Sequence, residues 1–333
     1  MYNSPFFSII MPVYNAANWL QDSIDSIMSQ SYHNWELICV NDGSQDESLA
    51  IMEQYASSDS RIKVLNQLNA GASVARNNGV EAAKGNYIMF LDSDDFFDSQ
   101  ALAILSEVVA KSNPDMIFME LREIMPSVHF THSKEKAFAE VTQCSIENIL
   151  KYATPYPTDK VYKTEILQSE KLRFNPLLTY TEDFHFWYRF AMASKKIVKT
   201  SNTLYNHRLT PNSLSSRFLA RWQSCPSEEL QQNLRLFWHL ADTCNKIADE
   251  SRSRIFRREL LLRATDFYIR TGKSLFKLKG SRRTEAIKTF SFPFRSLTKG
   301  LTAGDLYQAV QKAGQTIYNQ IKASIRYHLG RSS

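Results

Sequence analysis

Three carboxylates fall within four positions at the end of an apolar run, where Tyr87-Ile88-Met89-Phe90-Leu91 leads into Asp92-Ser93-Asp94-Asp95. Like charges this close make one another costly to ionise, and a divalent cation with oxygen ligands is the readiest compensation. A lone Asp95 or Asp98 would read as a cap for the helix expected over Ser99 to Lys111. The three acids together point to metal or nucleotide binding. In Asn41-Asp42-Gly43-Ser44-Gln45-Asp46 a carboxylate directly follows another apolar run, and the glycine permits a sharp turn. Small residues in Asn69-Ala70-Gly71-Ala72-Ser73 let a ligand approach the backbone. Arg76 follows, with a fork suited to a phosphate or to a carboxylate of the acidic cluster. Pro12-Val13-Tyr14-Asn15 adds an aromatic face on which a nucleobase can stack. Thr181-Glu182-Asp183 sets two acids at a helix start, where the terminus favours ionised carboxylates.

Such loops need a rigid frame. The first 120 residues alternate apolar runs with amphipathic segments, the pattern of a parallel sheet wrapped by helices. Strands are expected at Phe7 to Val13, Trp35 to Asn41, Arg61 to Asn66, Tyr87 to Leu91 and Asp115 to Met119. Helices are expected near Ala17 to Ser29, Gln45 to Ser58, Ser73 to Ala83 and Ser99 to Lys111. Ser44 and Glu47 stand at capping-box spacing for the second helix. Ligands of such sheets bind beyond the carboxyl ends of the strands, where all four loops would lie. From Leu121 to about Ser216 the alternation gives way to short aromatic-rich pieces with one clear helix, Glu182 to Ala193. This region reads as a second wall of the same cleft. After Arg217 apolar residues recur at helical spacing, so 1–216 is expected as one domain (donor half about 1–120, acceptor half about 121–216) and 217–333 as a helical one.

Composition narrows the class. The 333 residues hold no apolar run near the roughly 20 residues that a membrane-spanning helix needs. Residues 1–5 lack a basic segment followed by an apolar one, so export is not expected. Cys39, Cys144, Cys225 and Cys244 are scattered without metal or disulfide spacing, which fits a reducing cytoplasm. Residues 251–333 carry 18 Lys plus Arg against 4 acids, leaving 22 against 30 in the rest of the chain. That basic tail suits an anionic surface, and a phospholipid leaflet is the preferred partner, with self-association through the same helices as the alternative. Nucleic acid is not the expected partner.

In order and spacing, the run Ser8 to Asn15, the run Glu36 to Asp46, the loop Asn69 to Gly79 and the run Gly85 to Asp95 resemble glycosyltransferase family 2. These are inverting nucleotide-sugar transferases of the GT-A fold, an α/β architecture with a mostly parallel sheet, and bacterial capsule, lipooligosaccharide and exopolysaccharide enzymes are among them. The resemblance implies a UDP-sugar donor, with Pro12, Tyr14, Asn15, Asp42, Arg76, Asp92 and Ser93 at the nucleotide and a Mn²⁺ or Mg²⁺ ion at Asp94. It implies Asp183 as catalytic base, with Asp95, Glu182, His207 and Arg208 as further donor or acceptor contacts. Asp159-Lys160-Val161-Tyr162-Lys163 and Tyr205-Asn206-His207-Arg208 also look like family members that build surface glycans. The acceptor expected is an oligosaccharide or lipid-linked glycan, handled at the cytoplasmic face of the membrane. Many relatives carry Asp where this chain has Asn41. A nucleotidyltransferase acting on sugar phosphates and a non-catalytic glycan-binding protein are the rival readings.

Overall fold

The computed structural model describes residues 4–131, 141–145, 149, 154, 156–176 and 182–210. They lie in one compact unit that ends at Arg217. The expected C-terminal helices and the basic segment 251–333 fall outside the described residues.

Strand and helix alternate as the apolar runs dictate: β1 Phe7–Val13, α1 Leu20–Met28, β2 Trp35–Asp42, α2 Ser48–Ser58, β3 Ile62–Gln67, α3 Ala72–Ala82, β4 Tyr87–Phe90. β5 Phe96–Phe97, α4 Ala101–Ser112 and β6 Met116–Ile124 follow, then β7 Val141–Cys144, β8 Lys160–Lys163, α5 Thr164–Ser169, α6 Glu182–Ala193 and β9 Ile197–Arg208. The strands form one sheet in the order β3-β2-β1-β4-β8-β6-β9-β5, and β7 also pairs with β9. Strands β1 to β4 are parallel. β8 runs antiparallel between β4 and β6, and β9 returns parallel to β6. The carboxyl ends of β1, β2, β4 and β9 therefore share one edge, where the loops of the candidate site begin.

Period-two alternation assigns the side chains of β1 to opposite faces. Phe7, Ile9, Met11 and Val13 join the core with Leu20, Ile24 and Ile27 of α1 and Leu102, Leu105 and Val108 of α4. Ile10 faces α3, where a Cβ on Gly79 would stand 2.3 Å from its Cγ2. That glycine lets α3 lie close on the sheet and fixes the height of Arg76 above it. On the same side α6 docks through its aromatic stripe. Phe186 stacks on Phe174 at 3.9 Å and meets Phe90 edge-on at 5.7 Å, while Trp187 meets Phe118 at 5.8 Å. Asp183 stands three and four residues before these anchors, so their packing sets its position.

The expected α/β architecture is the one observed, with a mixed sheet in which four strand pairs are parallel and four antiparallel. Two details differ, and one alternative is decided. β6 extends to Ile124, and β5, β7, β8 and β9 were not expected, because their runs are short or, in β9, interrupted by Ser201-Asn202-Thr203, where the β6 pairing shifts register. The capping box does not form: the Asn15 N–H donates to the Ser44 hydroxyl at 3.1 Å, and Asp46 accepts the Ser48 N–H at 3.0 Å, so α2 begins at Ser48. The helix after the acidic cluster is served by Asp98, which accepts the Gln100 N–H at 3.0 Å, and not by Asp95.

At Gly85 an added Cβ would stand 2.6 Å from Ser8 N and 2.7 Å from Phe6 O, both backbone atoms at the start of β1. Gly85→Ala is therefore expected to lose about 1–3 kcal/mol by overpacking, read as a lower midpoint in urea unfolding. An unchanged midpoint would show that β1 and β4 can part at no cost.

Candidate active site

The four loops converge, and each carboxylate at the edge has found a different partner. Asp42 is buried at the end of β2. It accepts the Ala70 and Gly71 N–H groups at 2.7 and 2.9 Å and the Gln67 side-chain amide at 2.8 Å, which holds the small-residue loop in place. Gly71 takes φ +89 just before α3, a backbone state that suits glycine. Asn41 accepts the Ser44 N–H at 3.0 Å and donates to Asn66 at 3.1 Å, so it builds the turn after β2. Asn15, at φ 51, accepts the Gln45 N–H at 2.8 Å and so ties the β1 loop to that turn. Pro12 pairs with Val40 within the sheet, and Tyr14 stands 51% exposed at the rim.

At the tip of β4 the acids part company. Asp92 accepts from Arg76 at 2.9 Å, and its own N–H donates to the Tyr205 hydroxyl at 3.2 Å. Asp95 turns inward and is fully buried. It accepts the Tyr205 O–H at 2.6 Å and the Arg208 N–H at 2.7 Å, and it meets His207 Nδ1 at 3.1 Å. Asp95 thus anchors β9 to the loop, and its carboxylate is spent there. The ring of Tyr156 stacks on His207 at 5.5 Å. Burial opposes the charge on His207, but Asp95 prevails and holds the imidazolium up to about 9. Ser93 accepts the Ser23 hydroxyl through its carbonyl at 3.0 Å.

Among the described residues Asp94 is the acid that makes no ion pair, and only the more distant charge of His207 works in its favour. Thr210 donates to it at 3.1 Å, yet burial and then the charges of Asp95 and Asp92 push its carboxyl up to about 7. Its carbonyl accepts Arg208 Nε at 2.8 Å. The remaining Arg208 nitrogens go to the Pro126 and Val128 carbonyls at 3.2 and 2.7 Å and to Asp22 at 3.0 Å, with the guanidinium over the ring of Trp19. The side chain is wholly buried, so Arg208 braces the backbone of the acidic loop in this structure and does not face the cleft.

From the other wall, Asp183 accepts from Arg76 at 2.8 Å, with Glu182 3.9 Å from the same nitrogen. Burial raises the Asp183 carboxyl while Arg76 pulls it back. Burial and the adjacent Asp183 charge push Glu182 up to about 8, so it stays protonated at neutral pH. Burial and Arg189 press His185 down to about 4, leaving a neutral ring on the docked helix. The cluster thus offers a carboxylate able to take up a proton, a carboxyl short of positive charge, and an open rim. Asp22 and Thr210 complete it without having been singled out. An acid in a helix's first turn reads as a partner for the helix dipole, and a Thr beyond a strand carries no signal of its own.

Comparison with known proteins gives the family and the fold. The family model described as glycosyl transferase family 2 matches residues 8–200. Glycosyltransferase EpsJ of Bacillus subtilis (strain 168) is 31% identical over 217 residues, which span 63% of this chain and 63% of that protein. Glycosyltransferase GlyA of Streptococcus pneumoniae is 28% identical over 244 residues, 69% of this chain and 34% of that protein. The chain therefore spans less than two thirds of either relative. Among solved structures, Staphylococcus aureus TarS 1-349 in complex with UDP-GlcNAc superposes with a TM-score of 0.68 at 20% identity, covering 98% of this chain and 92% of that one. At that identity the likeness speaks for the fold.

The charge deficit at Asp94 has a measurable consequence in protein free of nucleotide and divalent cation. Below about pH 4 the carboxyl is protonated in both the folded and the unfolded chain, since its ordinary value is 3.8. Between there and about 7 only the fold retains the proton, so stability falls as pH rises, and above 7 the deficit is constant. Asp94→Asn is expected to raise the thermal midpoint by an increment that is absent at pH 4, grows through this window and levels off above it. A midpoint lowered equally at all pH values would contradict the assignment.

Proposed function

Because the chain belongs to glycosyl transferase family 2, we propose that it moves a sugar from a UDP-sugar to a hydroxyl of a surface-glycan acceptor, inverting the anomeric centre in a single displacement. The observation that carries this reading is the meeting of Asp92, at the end of β4, with Asp183, at the start of α6, on the one guanidinium of Arg76. The donor wall and the acceptor wall of a transferase have to face each other at that spacing, and neither rival reading calls for it. Supporting it, the TarS structures that share this fold hold UDP and UDP-GlcNAc.

In this scheme the uracil lies by Tyr14 and the loop anchored on Asp42, with Pro12, Asn15 and Ser93 lining the pocket. Asp92 and Arg76 flank the ribose and diphosphate. Asp94 fits a Mn²⁺ or Mg²⁺ ion in its chemistry: it is an oxygen ligand at the edge whose carboxyl burial and the neighbouring acids push up to about 7 despite His207. One or two carboxylates completed by diphosphate oxygens and water are the ordinary ligands of such an ion. When bound, the ion would offset the charge that grows on the departing diphosphate. His207 holds a second positive charge near the same edge.

Asp183 takes the proton of the acceptor hydroxyl as that oxygen attacks the anomeric carbon from the face opposite the diphosphate. Burial raises its carboxyl toward the working pH, as a general base requires. Displacement at one face converts an α-linked donor to a β-linked product. Glu182, protonated beside it, can donate a hydrogen bond to the acceptor or to Asp183. The basic segment 251–333 would bring the enzyme to an anionic leaflet at the cytoplasmic face, where a lipid-linked acceptor is presented. Among the described residues no helix is long and apolar enough to cross a membrane.

Purified protein with Mn²⁺ and a panel of UDP-sugars is expected to release UDP with one donor, and chelation of the metal to abolish release. Asp183→Asn should lower turnover about 10²–10⁴-fold while UDP still binds in calorimetry. Full activity in that variant would remove Asp183 as the base. Sedimentation with anionic vesicles should carry the protein down at low salt and release it at high salt; no binding at low salt would end the membrane proposal.

A further inference from the structure

Arg76 does more than line a pocket: two walls built from distant parts of the chain meet on it. Asp92 lies 16 residues away in sequence and Asp183 lies 107 residues away. The two terminal nitrogens of the fork are divided between them, Nη2 to Asp92 at 2.9 Å and Nη1 to Asp183 at 2.8 Å. The guanidinium lies over the ring of Phe174 at 5.3 Å, and the side chain is only 6% exposed. Phe174 is itself clipped to α3, since its N–H donates to Asn77 at 2.9 Å and its carbonyl accepts the Asn77 amide at 2.8 Å. Among the described residues Nε of Arg76 is buried with no partner, as is one oxygen of Glu182. The fork is thus committed to the two carboxylates at the expense of its own full satisfaction.

We infer that Arg76 is the positioning residue of the base: it holds the Asp183 carboxylate at a set distance from the tip of β4. This rests on the reading of Asp183 as the base. The aromatic anchors of α6 fix the helix, but they leave the rotation of a first-turn side chain free. A planar fork reaching two acceptors at once removes that freedom, and an ammonium on a flexible stem does not. The geometry needed for proton transfer is therefore written into α3, an element that carries no reacting group.

Two thermodynamic cycles test this on the full chain without nucleotide, pairing Arg76→Met with Asp92→Asn and with Asp183→Asn and reading thermal midpoints. In both cycles the double variant is expected to lose less than the two single losses combined, by about 2 °C or more. Additive losses in the Asp183 cycle would overturn the inference. Arg76→Lys, a milder change that keeps the charge, supplies the second arm. Its turnover at saturating UDP-sugar should fall at least tenfold, and by a larger factor than its affinity for UDP measured by calorimetry. Weakened UDP binding with turnover intact at saturation would make Arg76 a nucleotide contact alone and sink the proposal. Absence of any UDP binding or UDP-sugar turnover in the unaltered protein would instead remove the transferase reading, while the coupling of midpoints would stand or fall separately.

Discussion

Crowded negative charge at the tip of β4 is the constraint that organises this molecule. Two carboxylates about 4 Å apart repel by roughly 4 kcal/mol at the effective dielectric of a protein surface, so three in four residues cannot all remain ionised and unpaired. The fold answers for each separately. Asp92 is met by Arg76 from α3, and Asp95 by the hydroxyl, imidazole and backbone amide of Tyr205, His207 and Arg208 on β9. Among the described residues Asp94 receives one hydroxyl and no ion pair. The long return of β9 to the sheet edge, and the course of the chain from α6 into it, follow from the first two answers.

Those answers depend on close packing elsewhere. Arg76 reaches Asp92 only because α3 lies against β1 where Gly79 lacks a side chain. Asp183 reaches Arg76 only because Phe186 and Trp187 seat α6 on Phe90, Phe174 and Phe118. The contact that joins the two walls, Arg76 to Asp183, spans 107 positions, each side held by an apolar face with its own reasons to form. Arg208 repeats the logic at the opposite end of the acidic loop, since its four acceptors come from the acidic loop, the segment after β6 and α1.

Sequence alone disclosed what has a short period or a dense local composition. β1 runs Phe7–Val13 and α6 runs Glu182–Ala193 in the structure as in the pattern of residues, because an apolar run and an aromatic stripe each admit few alternatives. β9 escaped because polar Ser201-Asn202-Thr203 interrupts it, and its pairing absorbs the interruption by shifting register. The start of α2 escaped because a tertiary partner, the Asn15 N–H, claimed the Ser44 hydroxyl that local rules would give to a cap. Acidic residues announced the site, but their division of labour was not legible. Asp95 and Asp94 are adjacent and alike in the sequence, and only the distant strand that pairs with one of them separates an anchor from a carboxyl held by a single hydroxyl.

Glu36 shows what this fold does with a buried acid when only structure is at stake. It lies near the amino-terminal end of β2, away from the cleft edge, and burial works against its charge. Lys63 at 2.5 Å, the Ser8 hydroxyl at 2.6 Å and the Lys84 N–H at 2.6 Å more than offset that, so its carboxyl sits below the ordinary range. The same sheet that satisfies Glu36 with three donors leaves Asp94 with one and lets its carboxyl rise to about 7. Stability alone would favour removing such a group or pairing it, since an uncompensated charge is among the costlier defects a fold can carry. A defect of this kind, set at the edge where the carboxyl ends of parallel strands meet, is what a site looks like when the missing positive charge arrives with the ligand.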